Sequence, residues 1–455
     1  MSELNQLRLF LLNFFNKGHE RTIEAKRNIA FSFLIKGTSI IISLLLVPLT
    51  ISYVNPTQYG IWLTLSSIVS WFGFFDIGFG NGLRNRYAEA KAKNDTEKLR
   101  IYVSTTYAIQ TIIFLAILIV LLILNNFLDW TKILNADITL KSELSKLASI
   151  VFIFFCLQFI LKTITVILYA EQKSSIADLL NMMGQLLSLI LIFVLTHTTK
   201  GSLTLLGSAL SFSPIVVLIV ASIYLFQSKY KFITPSFKSI NFKYVKDLLN
   251  IGIKFFIIQI SVVVIYQSNN IIISHIGTPE DVTIYNIAYK YMAVVLMGFS
   301  IIINPFWSAF TEAYTKNDYK WMRKAVSRLR KLSYSITIVV FVMIISSNFI
   351  YHIWIGNKVL IPNSVTIICG IYIVFSSWMS LNTQILNGIG RIKLQLLTFS
   401  LGTVFHIPVA FLLGQKYGII GVVISSTLFT AIISVFSILQ IDLILKKKAK
   451  GIWLQ

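Results

Sequence analysis

The stretch that decides the fold is Glu89-Ala90-Lys91-Ala92-Lys93-Asn94-Asp95-Thr96-Glu97-Lys98-Leu99-Arg100, because the chain contains it twice. Its echo is Glu312-Ala313-Tyr314-Thr315-Lys316-Asn317-Asp318-Tyr319-Lys320-Trp321-Met322-Arg323. Glu, Ala, Lys, Asn, Asp and Arg return at the same offsets, 223 residues on. Weaker echoes flank it. Tyr59-Gly60 pairs with Tyr285-Asn286, Asn28-Ile29-Ala30 with Asn250-Ile251-Gly252, and Ile167-Leu168 with Ile385-Leu386. Self-similarity at this spacing predicts two related halves.

Around these segments the chain is almost continuously apolar. Of 455 residues, 56% are hydrophobic and 13% charged, and the mean hydropathy is +0.76. A soluble domain has nowhere to hide so much apolar surface, so lipid is the solvent for much of it. The runs are unbroken over helical lengths and do not alternate, which excludes a transmembrane barrel. Spans are predicted at 28–54, 58–79, 102–125, 148–169, 176–196, 203–226, 251–275, 282–306, 332–353, 362–386, 396–414 and 419–445. The repeat divides them six and six, and an even number per half makes the halves parallel, related by an axis along the membrane normal. The predicted fold is an all-α polytopic membrane protein of about twelve transmembrane helices, in two parallel six-helix lobes around a central cavity. Two lobes that rock about a cavity are a transporter plan, and Pro48, Pro214, Pro305 and Pro408 supply bend points within spans.

The domains follow. Residues 1–27 form an amphipathic segment with Leu7, Phe10, Leu11 and Phe14 on one helical face. Glu3, the short run from Leu9 to Phe15 and the lack of a small-residue cleavage site read against a cleavable signal peptide. Residues 28–226 are the N-lobe, 227–250 a linker, 251–445 the C-lobe and 446–455 a basic tail.

The net charge of +22 would suggest nucleic acid in a soluble chain. Here the placement of the cations accounts for it. Thirty of the 40 Lys and Arg fall in the two termini and in loops on one side, chiefly 80–101, 227–250 and 307–331. Six fall in the alternate loops, at Lys132, Lys141, Lys146, Lys200, Lys358 and Lys416. The positive-inside rule places both termini in the cytoplasm, and the basic loops face anionic headgroups. No nucleic-acid partner is expected. Cys156 and Cys369 lie in apolar runs and read as small core side chains, with no disulfide framework or metal site.

No phosphate-cradling Gly-rich loop, metal-ligand spacing or nucleotide-binding domain occurs, so neither an enzyme nor an ATP-driven pump is expected, and no cofactor or metal. Chemistry falls to charge inside the membrane. Lys36, Lys162, Lys254 and Lys290 lie in spans. Such charges are costly in lipid and mark functional sites unless the long side chain snorkels to the headgroups. Lys36 sits about 12 Å into its span, and Lys290 at a similar depth from the other side. Lys254 is near enough to an end to snorkel. Lys36, Ser39, Ser43 and Thr50 share a stripe of span 1, and Gln259, Tyr266 and Asn270 a stripe of span 7. Polar stripes face a wet cavity or bond helix to helix. The candidate cavity residues are Lys36, Lys290, Lys162, Gln259, Tyr266 and Asn270. Carboxylates are scarce, with Asp76, Asp178 and Asp442 near span ends, so an anionic substrate suits the chain better than a cation.

The stretch from Pro48 to Arg100 holds Tyr59-Gly60-Ile61-Trp62 and Asp76-Ile77-Gly78-Phe79-Gly80-Asn81-Gly82-Leu83-Arg84. It resembles the polysaccharide transporter family, the O-antigen and capsule repeat-unit flippases, within the superfamily that includes multidrug extruders and lipid II flippases. In topology the likeness covers essentially the whole chain. It implies alternating-access transfer of an undecaprenyl-pyrophosphate-linked oligosaccharide from the cytoplasmic to the outer leaflet of a bacterial plasma membrane. Membrane lipids and polysaccharide polymerase machinery are the implied partners. By the same resemblance Lys36 is the first position to match a basic cavity lining. Asp76, Arg84 and Arg86 match the span 2 motif and would lock an inner gate through salt bridges that rearrange. Plain positive-inside anchoring is the other reading of the two arginines. The alternatives are a cation-coupled small-molecule or multidrug antiporter of the same superfamily, and a non-transporting assembly scaffold.

Overall fold

The structure is a computed structural model that describes residues 20–73, 79–171, 173–303 and 306–454; within these, the side chains of 20–30, 32, 81, 92, 250–263, 265–266, 308 and 312 are left aside. The predicted amphipathic face of residues 1–27 therefore lies outside the described residues, as does Pro305.

The N-lobe comprises α1 (Glu20–Val54), α2 (Pro56–Trp71), α3 (Phe79–Ala92), α4 (Thr96–Asn125), α5 (Lys141–Leu161), α6 (Thr163–Ala170), α7 (Ser174–Thr198) and α8 (Leu203–Gln227). The C-lobe comprises α9 (Val245–Ile276), α10 (Pro279–Ile303), α11 (Phe306–Thr315), α12 (Tyr319–Trp354), α13 (Asn363–Ile389), α14 (Lys393–Tyr417) and α15 (Ile419–Leu445). Taken as single spans, α2 with α3, α5 with α6 and α10 with α11 leave six per lobe. Among the described residues, ten spans are long and apolar enough to cross a membrane; the other two are α2, of 16 residues, and α9, of 32 residues, much of which lies outside the residues searched. The second span differs from its predicted extent of 58–79. Its helix α2 stops at Trp71 and α3 begins at Phe79, in a stretch with glycine at 73, 78, 80 and 82 where helix propensity is poor.

The repeated segment folds into one device in both lobes. In the N-lobe, Asn94 takes the left-handed conformation (φ 55) and the Asp95 N–H donates to Ala90 O at 3.0 Å, a glycine-free Schellman ending. The Asp95 carboxylate then caps α4 by accepting from the Lys98 N–H at 3.0 Å. In the C-lobe, Asn317 has φ 56, the Asp318 N–H donates to Ala313 O at 2.8 Å, and Asp318 caps α12 through the Trp321 N–H at 2.9 Å. The terminal arginine of each copy ties the third span to the end of the sixth. Arg100 Nε donates to Thr234 O, just past α8, at 3.4 Å, and Arg323 Nη1 donates to Leu445 O, at the end of α15, at 3.3 Å.

The surface is apolar, unlike that of a soluble bundle, and polar side chains are buried among an apolar core. Leu115, Ile119 and Ile123 on α4 and Ile338, Phe341, Ile345 and Phe349 on α12 are exposed at helical spacing, as lipid-facing ridges require. Thr64, Thr105, Asn269, Asn382, His406, Ser425 and Gln440 are buried. Helix α12 has 36 residues, about 54 Å and so longer than the hydrocarbon core. Its first turns carry Lys320, Arg323, Lys324, Arg328, Arg330 and Lys331 out of the apolar layer. The face where α1 starts and α15 ends is called the basic face below. There the segment between α8 and α9 is pinned along α4, with the Ser236 N–H on Ser104 Oγ at 3.1 Å and the Asn241 N–H on Thr105 Oγ1 at 3.0 Å.

At the opposite face the lobes are sewn together. Thr283 Oγ1 donates to Pro56 O at 2.7 Å, and Gly60 packs so tightly on Pro279 that a Cβ there would lie 1.6 Å from its carbonyl oxygen. Pro56 and Pro279, and Gly60 and Thr283, are each 223 residues apart. The two contacts thus exchange under the repeat, the signature of a pseudo-twofold interface. This also corrects the pairing of Gly60 with Asn286: its partner is Thr283. Around this pair, Asn135 Nδ2 donates to Ser274 O and Gly277 O at 3.1 and 2.7 Å, Ser274 Oγ to Leu134 O at 3.1 Å, and Trp354 Nε1 to Leu44 O at 2.9 Å. Lys358 bonds Ser52 nearby.

Candidate functional site

The seal continues inward to a polar layer near the middle of the helices. Asn270 Nδ2 on α9 donates across the lobes to Ser67 Oγ on α2 at 2.8 Å, and its oxygen accepts from Asn286 Nδ2 at 2.7 Å. One turn beyond Asn286, Lys290 Nζ donates to Ser43 O on α1 at 3.3 Å. Ser43 lies seven residues, about 10 Å, along α1 from Lys36 on the same face. The structure therefore brings two of the predicted lysines, one from each lobe, to one stripe of α1. Under the 223-residue offset Lys290 corresponds to Ser67. The repeat places a charge in the C-lobe where the N-lobe has a hydroxyl.

Lys36 is paired. Its Nζ lies 3.8 Å from Asp178 Oδ2 in the first turns of α7, with the two side chains 35% and 19% exposed. Ser39 Oγ donates to Gln185 Oε1 at 2.7 Å on the same pair of helices. Asp178 Oδ1 accepts from Tyr169 OH at 3.2 Å, and the Arg84 guanidinium stands over the Tyr169 ring, 5.8 Å from its centroid. A relay of four side chains thus joins the motif arginine of span 2 to the lysine of span 1. Along this relay the described residues carry two cations, Lys36 and Arg84, and one carboxylate, Asp178.

The remaining predicted residues part company. Lys162 is exposed where α5 breaks into α6, its ammonium 5.7 Å from the Phe159 ring centroid. It joins neither lysine pair described here. Asn270 is buried in the lobe-to-lobe contact, so of its two readings helix-to-helix bonding is the one observed. Asp76 lies outside the described residues, as do the side chains of Gln259, Tyr266 and Lys254. Arg86 does bridge elements: Nε donates to Asp247 O at 3.4 Å at the start of α9, and Nη1 pairs with Glu89 at 2.7 Å. Beside it Gly82 lets α3 close on α9, since a Cβ would stand 1.9 Å from Leu248 O.

Two groups escaped the sequence reading. Asp178 had a partial signal, a carboxylate at the start of an apolar span with Gln185 two turns on along the same face. Glu171, between α6 and α7, had none. Its largely buried carboxylate takes Lys91 Nζ at 2.6 Å, Lys173 Nζ at 3.5 Å and Tyr87 OH at 3.0 Å. Burial pushes that carboxyl up, but the hydrogen bonds from Lys91 and Tyr87 and the charges of Lys91 and Lys173 outweigh it and hold its pKa below the usual value.

Grouped as twelve spans in two pseudo-symmetric lobes, the described helices define a multi-pass membrane protein. The chain superposes on a solved structure described as the inward-facing conformation of a multidrug resistance MATE family transporter of the MOP superfamily, with a TM-score of 0.77 and 14% identity, over 93% of this chain and all of the other. The family comes from the sequence: residues 25–310 match the Polysaccharide biosynthesis protein model, and the chain belongs to that family. It is similar to a Yersinia pseudotuberculosis protein named "Putative O-antigen export protein", 22% identical over 400 residues, 84% of this chain and 87% of the relative. It is also similar to a Salmonella typhimurium protein named "Putative O-antigen transporter", 22% identical over 282 residues, 61% of this chain and 63% of the relative.

Proposed function

We propose that this protein flips an undecaprenyl-pyrophosphate-linked oligosaccharide, of the O-antigen or a related surface polysaccharide, across the bacterial inner membrane by alternating access. The observation that carries the reading is the stripe on α1, where Lys36 and the Ser43 oxygen that takes Lys290 lie seven residues, about 10 Å, apart, between lobes sealed at the opposite face. Ammonium groups in low dielectric grip a diphosphate. The basic face is cytoplasmic by the positive-inside rule, so the cleft receives the headgroup from the leaflet where it is made, while the polyprenyl tail stays in lipid between the lobes. Arg84 and Arg86 act at the inner end, Arg84 on the Asp178 relay and Arg86 as a strut to α9.

The test is made in cells. Depleting the protein should trap lipid-linked repeat units in the inner leaflet, out of reach of periplasmic ligation, and re-expression should release them. Normal surface glycan together with a lost export of small cations would contradict the proposal and favour the antiporter.

A further inference from the structure

His406 on α14 has no part in the account above, yet it is fully buried and both its ring nitrogens are engaged. Nε2 lies 3.2 Å from Asn269 Oδ1 on α9, and Nδ1 lies 3.1 Å from Ser425 Oγ on α15. The Phe429 ring stands edge-on at 6.0 Å. Asn269 is itself fully buried, and its amide nitrogen donates to Tyr285 OH at 3.1 Å and Ser426 Oγ at 2.9 Å. In this orientation its oxygen faces His406 and also accepts from Ser426 Oγ at 3.0 Å, so Nε2 carries a proton in either charge state.

Ser425 decides the rest. Its single hydroxyl proton has two acceptors in reach, His406 Nδ1 and the His406 backbone oxygen at 3.3 Å. Donating to Nδ1, it completes a neutral imidazole. Turned to the backbone oxygen, it leaves Oγ free to accept from a protonated Nδ1. A proton can be added by rotating one hydroxyl, with no repacking.

The next residue along α9 is Asn270, which crosses the lobes to Ser67. Of the titratable groups on the packed helices, Tyr285 faces the histidine through Asn269. His275 is turned to Phe411, Lys290 to Ser43 and Asp442 to Arg330. Among the described residues no carboxylate touches the cluster, so an imidazolium there lacks a counter-charge and favours whatever arrangement admits water. We infer that His406 is a proton-binding site of the C-lobe, and that loading it loosens the seal between the lobes through Asn269 and Asn270.

Spin labels at Asn126→Cys and Asn357→Cys, exposed on the two lobes at the sealed face, read the seal as a distance. The background replaces Cys156 and Cys369 with Ala, and the full chain is held in lipid nanodiscs. From pH 8 to 3 the wild type should gain a longer-distance population with a single midpoint. His406→Gln should abolish that titration. Ser425→Ala keeps the imidazole but removes the acceptor the second N–H needs, and should lower the midpoint by about one pH unit. A wild type indifferent to pH, or His406→Gln titrating like wild type, overturns the inference. So does an unmoved midpoint in Ser425→Ala, which also covers the case in which His406→Gln does not fold.

Discussion

Adding one methyl group at Gly60 tests whether the pseudo-twofold contact holds the lobes shut. In Gly60→Ala the new Cβ would sit 1.6 Å from Pro279 O, whereas real Cβ atoms keep at least 3.0 Å from such neighbours. The obstacle is backbone, so no side chain can swing aside. Helix α10 must withdraw by about 1.4 Å, which stretches the Thr283–Pro56 hydrogen bond from 2.7 Å to roughly 4 Å and breaks it. Overpacking of this kind costs about 1–3 kcal/mol. Since the open arrangement does not pay it, the ratio of open to sealed protein should rise roughly 5- to 150-fold. The assay is labelling of Thr64→Cys by a membrane-impermeant maleimide, in protein with Cys156 and Cys369 replaced by Ala. Thr64 is fully buried one turn beneath Gly60, so labelling there requires opening. Modification should accelerate by a factor in that range. A rate within twofold of the parent, in protein of unchanged thermal stability, would refute the argument.

Other expectations follow from single contacts. Asn317 holds φ 56, so Asn317→Gly should be tolerated, whereas Asn317→Val should cost about 1–2 kcal/mol in thermal unfolding; equal melting temperatures for the two would contradict the shared hinge. Removing either partner of the Lys36–Asp178 pair should cost about 1 kcal/mol, because the pair is partly exposed. The swap Lys36→Asp with Asp178→Lys should recover stability but not glycan transfer, and recovery of both would make the pair merely structural. The Glu171 carboxyl is held below its ordinary value of 4.5, so its contribution is full above that pH and fades as pH falls through the lower folded value. The melting temperature of Glu171→Gln should therefore sit below wild type at pH 7 and converge with it as the pH falls further below 4.5; a constant gap would remove Glu171 from the account.

Much of the fold was legible because lipid imposes a coarse, one-dimensional pattern. Continuous apolar runs gave the spans, and the Lys-Asn-Asp repeat gave the lobes, since Asn as a left-handed stop and Asp as a cap are local chemistry. The break between α2 and α3 was less legible: the run stays apolar there, and hydropathy does not weigh glycine as a helix former. The site was half legible. Depth in a span singled out Lys36 and Lys290, but which helix faces a lysine is a matter of tertiary packing. Asp178 lies 142 residues from Lys36, and only the three-dimensional contact of α1 with α7 joins them. Asn270 shows the converse: its stripe left a cavity lining and a helix contact both open, and the structure bonds it to Ser67.

The central claim is a grip on a lipid diphosphate, and reconstituted transfer tests it most directly. Proteoliposomes would carry a polyprenyl-pyrophosphate oligosaccharide whose arrival in the far leaflet is followed by a membrane-impermeant glycan-binding probe. Wild type, Lys36→Gln and Lys290→Gln would be compared at equal amounts of folded protein. The account predicts protein-dependent transfer that collapses in both variants. Transfer undiminished in both, or none with wild type, would contradict it.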